Sequence, residues 1–384
     1  MTVTARSAEQ IAARAAQVLP GIDAHAHARA VLGAALPPDG APSHAYLFHG
    51  PHGAGKRTIA RAFAAALLAD GSQDPAAAAE RARRGSHPDL TWVAPSGAAE
   101  MLVSDIEEPV VAAAARTPFE SRRRVFVIES VERMNEQAAN RMLKTLEEPP
   151  RFAHLLLLSD RREDVLATIA SRCQHVRFDP LAPARIAELV HGVSAETAQA
   201  CARLSLGDAG QARALASEEG KRLRATAEGF VRSAIAGTTA QRAWIELLDL
   251  AKTAGTLAGE RAREHTADEL ELLPARERKR HQREALESAR RGERRERTRA
   301  LDLALGLVEL WLRDLLCMCE GAPELLYAVD RRAELEQDAR GHDGATLRRA
   351  VELAADARLS LSLNVSEELA LEALSYRLQR TLAA

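Results

Sequence analysis

The sequence predicts an α/β fold built on a parallel sheet, followed by helical segments to its end. Three observations predict it. The short apolar runs at 45–48, 125–128 and 155–158 lack polar alternation, as strands buried on both faces do. Helical stretches alternate with these runs as far as Asp179, the order that yields a helix-covered sheet. Beyond Pro180 the strand pattern ends; Ala, Leu and Arg are plentiful while aromatic residues make up 3%, a mixture that favours helices.

Taken in order, residues Ala8 to Leu36 read as interrupted helix, closed by the turn Pro37-Pro38-Asp39-Gly40. Ala45 to Phe48 is the first strand. Gly50-Pro51-His52-Gly53-Ala54-Gly55-Lys56 follows at once, and Ile59 to Leu68 is helical. Strand, glycine loop and helix, in that order, make a phosphate-binding loop. Val125 to Ile128 is the second strand named and Leu155 to Leu158 the third, with a helix between them. Asn135 is that helix's N-cap and Pro149-Pro150 its stop, because Asn accepts from orphan N–H groups and proline disfavours helix before it. Val176-Arg177-Phe178 reads as an edge strand. Pro183 to Glu219 holds about three short helices, separated near Gly192 and at Gly207-Asp208. From Lys221 onward the chain is helical, with Leu301 to Leu316 the most apolar stretch and Trp311 at its centre, read as core. Glu260 to Ala300 is dense in charge of both signs, which suits an exposed helical hairpin or a partly disordered insertion.

Composition excludes several classes. The net charge of −2 is no polycation, so a nucleic-acid contact must come from a local patch or from partners. The net-basic part from Arg276 to Arg299 is the candidate patch, with a solvated helix face as its plainer reading. The sequence lacks an apolar run of membrane-spanning length and a recognisable secretion signal near Met1. Cys173, Cys201, Cys317 and Cys319 form no C-x-x-C pair and read as buried free thiols of a reducing, cytoplasmic compartment.

The chemistry lies in the loop. Gly50, Gly53 and Gly55 let backbone N–H groups turn toward phosphate oxygens, with a helix N-terminus behind them, and Lys56 would neutralise the outer phosphates. The full motif next requires Ser or Thr for Mg²⁺. Here that position is Arg57, with Thr58 one residue late and so rotated about 100° around the helix. A guanidinium is permanently charged and has no lone pair for a metal. A working second strand would end in Asp-Glu, the first for Mg²⁺ and the second for the attacking water; this chain reads Glu129-Ser130. Both changes argue against hydrolysis. No metal is expected at the site, and ATP binding without hydrolysis stays open.

Four strings give a resemblance. His44-Ala45-Tyr46-Leu47-Phe48 leads into Gly50-Pro51; Met134-Asn135 precedes Ala138 and Asn140; Leu143-Lys144-Thr145-Leu146-Glu147-Glu148-Pro149-Pro150 follows; Thr168-Ile169-Ala170-Ser171-Arg172-Cys173 comes last. Together they resemble the clamp-loader branch of the AAA+ ATPases over about the first 220 residues. Looser similarity to that branch's last collar helix runs from Asn364-Val365-Ser366 to Leu371-Glu372. The resemblance implies an AAA+ P-loop domain over 1–180, a small helical lid over 181–220 and an all-α collar over 221–384, the charged insertion at 260–300 being unaccounted for. It implies that Arg172 is an arginine finger acting on a neighbouring subunit's nucleotide. Many relatives also carry a four-cysteine zinc module before the second strand. No cysteine lies between Leu68 and Val125, and one histidine cannot supply four ligands, so no zinc is expected. His87-Pro88-Asp89 resembles the branch's connection into the next strand.

Within the branch, the hydrolysing gamma/tau type has an intact loop, an Asp-Glu strand end and a lid arginine, whereas here Arg57, Glu129-Ser130 and Gly210 stand at those places. Arg172 persists. That pattern resembles the non-hydrolysing delta-prime type. The partners it implies are gamma/tau and delta subunits and, through the complex, a sliding clamp and primed DNA, with no membrane. An ATP-hydrolysing gamma/tau-like subunit and a free-standing DNA-binding protein are the alternatives.

Overall fold

The computed structural model describes residues 2–95, 100–271, 275–362 and 365–383. Two compact units divide the chain, Met1–Leu181 and Ala182–Ala384.

In the first unit, five parallel strands form one sheet: β1 (Ala45–His49), β2 (Leu90–Val93), β3 (Arg124–Ile128), β4 (Ala153–Ser159) and β5 (Gln174–Arg177), in the order β2-β3-β4-β1-β5. Its helices are α1 (Thr2–Val18), α2 (Ala26–Ala35), α3 (Lys56–Ala69), α4 (Pro75–Arg84), α5 (Val103–Ile106), α6 (Glu136–Glu147) and α7 (Ala167–Ala170). The apolar runs are explained by two cores. Tyr46, Phe48, Val125, Val127, Leu156 and Leu158 pack on one side with residues of α1 to α4. Ala45, Leu47, Phe126, Ile128, Leu155 and Leu157 pack on the other with residues of α6 and α7. Successive side chains of a strand point to opposite faces, so a sheet covered on both sides needs apolar residues at every position. β5 is an edge strand, as its sequence suggested, but it starts at Gln174 and ends before Phe178. The other edge, β2, was placed only as the strand into which His87-Pro88-Asp89 leads; Thr91 and partial exposure blunt its apolar signal.

Caps follow the sequence. Asn135 Oδ1 accepts from the Ala138 N–H at 2.9 Å, which starts α6 and aligns it behind β3. The approach to β3 is fixed from β2's side. Asp89, with no exposed surface, accepts from the backbone N–H groups of Phe119, Glu120 and Ser121 at 2.6, 3.0 and 2.9 Å. His87 Nδ1 accepts from the Asp89 N–H at 3.1 Å. A carboxylate bonded to three amides holds the chain before β3 in place, and with it the strand end that carries Glu129.

Among its described residues the second unit has no strand, and its α-helices are α8 (Pro183–Ala187), α9 (Ala195–Leu204), α10 (Ala209–Ala216), α11 (Glu218–Ile235), α12 (Trp244–Glu271), α13 (Ala275–Cys319), α14 (Arg332–Asp338), α15 (Gly344–Ser362) and α16 (Glu367–Leu382). Cys201, Leu204 and Leu215 from the short helices share one core with Phe230, Trp244, Leu305, Trp311, Leu353 and Leu374. The segments expected as lid and collar therefore share one hydrophobic core. Trp311 is 4% exposed and donates through Nε1 to Asp338 at 3.2 Å.

The charged stretch 260–300 forms the far ends of α12 and α13. Arg263 pairs with Glu293 at 3.3 Å, and a Cβ on Gly255 would meet the Glu293 carbonyl oxygen at 2.8 Å, so glycine permits the close crossing. The side chains of 265–281, which include Arg276, Arg278 and Arg280 of the candidate basic patch, lie outside the described residues, as does Asn364. All four cysteines are free, with Cys173 and Cys201 buried. The expectation of burial needs correction for the other two: Cys317 is half-buried and Cys319 exposed. They lie in the last turn of α13, and two residues on a helix point about 200° apart. No helix among the described residues is long and apolar enough to cross a membrane.

Candidate functional site

The site forms at the carboxyl ends of β1, β3 and β4. In β1, Tyr46 to His49 pair with both β4 and β5, so β1 is an interior strand and the loop leaving it opens onto the sheet's end, where open α/β sheets bind ligands. Gly50 has φ +149°, and a Cβ there would lie 2.1 Å from the Phe178 carbonyl oxygen. Only glycine fits. Gly53 and Gly55 have φ of +73° and +86°, a region that L side chains avoid, and Gly55 is the residue before α3. The loop thus ends at the N-terminus of a 14-residue helix.

Lys56 is 6% exposed. Its Nζ donates to the carbonyls of Gly50 and Pro51 at 2.6 and 2.7 Å and pairs with Asp160 at 2.8 Å. An ammonium has three donors, and all three have acceptors. Arg57 and Glu129 meet directly, Nε to Oε1 at 2.8 Å. Glu129 also accepts from Trp92 Nε1, so the carboxylate has two donors. Thr58 is exposed on α3, and Ser130 follows with φ +52°. The sequence treats the changes at Arg57 and Glu129 as separate losses; folded, they form one ion pair.

Arg172 lies apart from this loop in its bonding. It donates to the Thr168 carbonyl at 2.9 Å and pairs with Glu147 at 2.5 Å. These partners, on α7 and the last turn of α6, hold the guanidinium at the surface, with 34% of its side chain exposed. None of these partners belongs to 50–58.

Sequence reasoning missed Asp160, Trp92, Glu147 and a histidine pair. Asp160 was findable: a parallel sheet brings its strand ends together, and His49 is level with Ser159. The other missed residue of note is His49 itself, whose ring lies 5.6 Å from that of His175. Burial first, then the neighbouring His175, Arg162, His27 and Arg177, lower its pKa to about 4. The unfolded value is near 6.5, so between these values the unfolded chain binds more protons. His49 therefore contributes stability that is fully present above pH 6.5 and is lost as pH falls toward 4. Thermal melting should show a lower Tm at pH 5 than at pH 7.5, with a smaller difference in His49→Gln; equal differences in the two proteins would refute the assignment.

A five-stranded parallel sheet in this order, with a glycine loop between the interior strand β1 and the following helix, defines a P-loop domain of the AAA+ ATPase kind, here followed by a helical region. Residues 34–182 match the model of the family described as DNA polymerase III, delta subunit. It is 36% identical over 168 residues to DNA polymerase III subunit delta′ of Pseudomonas aeruginosa, covering 42% of this chain and 51% of that protein. It is 34% identical over 150 residues to subunit delta′ of Bacillus subtilis, covering 38% and 44%. DNA polymerase III subunit tau of Bacillus subtilis is also similar, 34% identical over 143 residues, covering 36% and 24%. The chain spans about half the length of the two delta′ relatives it matches.

Such a fold implies nucleotide and Mg²⁺. For nucleotide the residues fit: the glycines and helix N-terminus remain, and His25, 1% exposed, lies near Ala54 of the loop while its Nδ1 has no partner. A buried orphan nitrogen beside the loop is the kind of group a ligand satisfies. For Mg²⁺ they do not fit. The hydroxyl position is a guanidinium, and the carboxylate that should face the ion is paired to it. Among the described residues no group of three or more His, Cys, Asp or Glu could hold a metal ion.

Proposed function

We propose that this chain is a delta-prime-type subunit of a DNA polymerase III clamp loader, one that does not hydrolyse ATP itself and supplies Arg172 to a neighbour's nucleotide. The observation that carries the reading is the Arg57–Glu129 ion pair. Phosphoryl transfer needs a metal and a water-orienting residue; here a guanidinium stands at the metal's place and Ser130 where the water-orienting residue would be. The delta′ relatives support the assignment of type. The surface placement of Arg172, held by Glu147 and Thr168, suits a fixed charge offered outward. In this reading the partners are gamma/tau and delta subunits, the complex places a sliding clamp on primed DNA, and the protein works in the cytoplasm. The helical second unit would assemble with its counterparts in those subunits.

The similarity to tau favours one second reading, an ATP-hydrolysing gamma/tau-like subunit. Turnover by the purified chain separates the two. Mg²⁺-dependent ATP hydrolysis should be no greater than that of Lys56→Ala. A clear excess over that control would establish the gamma/tau-like reading instead.

A further inference from the structure

The loop lacks the usual ligands for a metal but keeps the geometry of an anion cradle. Three features bear on this. The glycine conformations and the start of α3 are those of a phosphate cradle. His25 Nδ1 lies buried and unpartnered beside it. The charges around it, Lys56 and Arg57 against Asp160 and Glu129, cancel without any ion added. A working site of this type carries an excess of carboxylate and relies on a divalent cation to admit a polyphosphate. Here a permanent cation has been built into the chain at that place. Arg57 retains 70% side-chain exposure although bonded to Glu129, so part of its fork of five donors faces solvent. Glu129 is 14% exposed and fixed by Trp92, which keeps Arg57 beside the loop.

We propose that this site binds a nucleoside di- or triphosphate without a metal, Arg57 supplying the positive charge that Mg²⁺ supplies elsewhere. The inference rests on the reading of the site as non-hydrolysing and extends it to the ligand's form. Glu129 and Asp160 then compete with the phosphates for Arg57 and Lys56, which makes binding weaker than in a metal-dependent site. Added Mg²⁺ has no ligand set to enter and meets Arg57's repulsion.

The test is a titration of the full chain with fluorescently labelled ADP, once in EDTA and once in millimolar Mg²⁺. The expected affinities agree within about twofold, and Lys56→Ala abolishes saturable binding, as loss of a charge-assisted phosphate contact should. Arg57→Thr weakens binding in EDTA by about tenfold and makes it respond to Mg²⁺. Glu129→Gln, whose amide oxygen can still accept from Trp92, tightens binding. The proposal is overturned if Mg²⁺ raises the native chain's affinity tenfold or more, if no saturable binding occurs in EDTA, or if Arg57→Thr behaves as the native chain does. Unchanged circular dichroism in each variant excludes misfolding as the cause of a loss. These readouts do not involve Arg172 or a neighbour, so they can fail while the clamp-loader reading stands.

Discussion

Replacing Arg172 by Ala should lower ATP turnover at the neighbouring site of an assembled loader by about 10³-fold or more, the range that arginine fingers supply. The physical basis is charge. As the terminal phosphoryl group departs, negative charge grows on its oxygens, and a guanidinium already in place lowers the barrier without reorganising. Arg172 is held in this way by the Thr168 carbonyl and the Glu147 carboxylate. Neither partner belongs to the glycine loop of its own chain, and the side chain adds nothing to either core, so Arg172→Ala should leave assembly intact. Single-turnover hydrolysis is the suitable measurement, because any other ATP sites of the proposed complex would dilute a steady-state effect. Arg172→Lys should recover little, since an ammonium lacks the planar fork. Unchanged hydrolysis in a complex of normal composition would remove the finger from the proposed function.

The largest stability loss is expected from Asp330→Ala. Arg224 on α11 is 4% exposed, and its guanidinium donates to both carboxylate oxygens of Asp330 at 3.0 and 2.7 Å. Removing the carboxylate strands a buried cation, which costs about 3–5 kcal/mol. Glu228, 7% exposed, is the nearest carboxylate able to compensate, but Arg331 and Arg232 already approach it at 3.5 and 3.9 Å. Urea unfolding followed by circular dichroism should register the loss as a lower midpoint. Arg224→Met combined with Asp330→Leu should recover most of it, because the penalty belongs to the unpaired charge rather than to the missing bond. A loss under about 1 kcal/mol in the single variant would mean that water reaches Arg224.

Much of the first unit was legible in the sequence because its signals are local. Uninterrupted apolar runs mean strands covered on both faces, and β1, β3 and β4 are such strands. Asn135 and the double proline bound α6 because caps act within a few residues. β2 was harder to place, since an edge strand is half exposed and its pattern resembles a loop. In the second unit helices were expected throughout, yet that α9 and α10 share one core with α11 to α16 depends on which apolar faces meet, and periodicity does not specify partners.

By itself, the sequence determined the phosphate loop, the absence of the metal's hydroxyl ligand, and the altered strand end at Glu129-Ser130, because each is a matter of residue type at a position within one short segment. Only the tertiary structure decided that Arg57 and Glu129 neutralise one another, that Asp160 occupies Lys56, and that Glu147 holds Arg172. The physical reason is that charges interact across space. The order of the parallel strands, with β4 between β3 and β1, sets which side chains from distant segments arrive within 3 Å of each other, and nothing local to either segment encodes that neighbour.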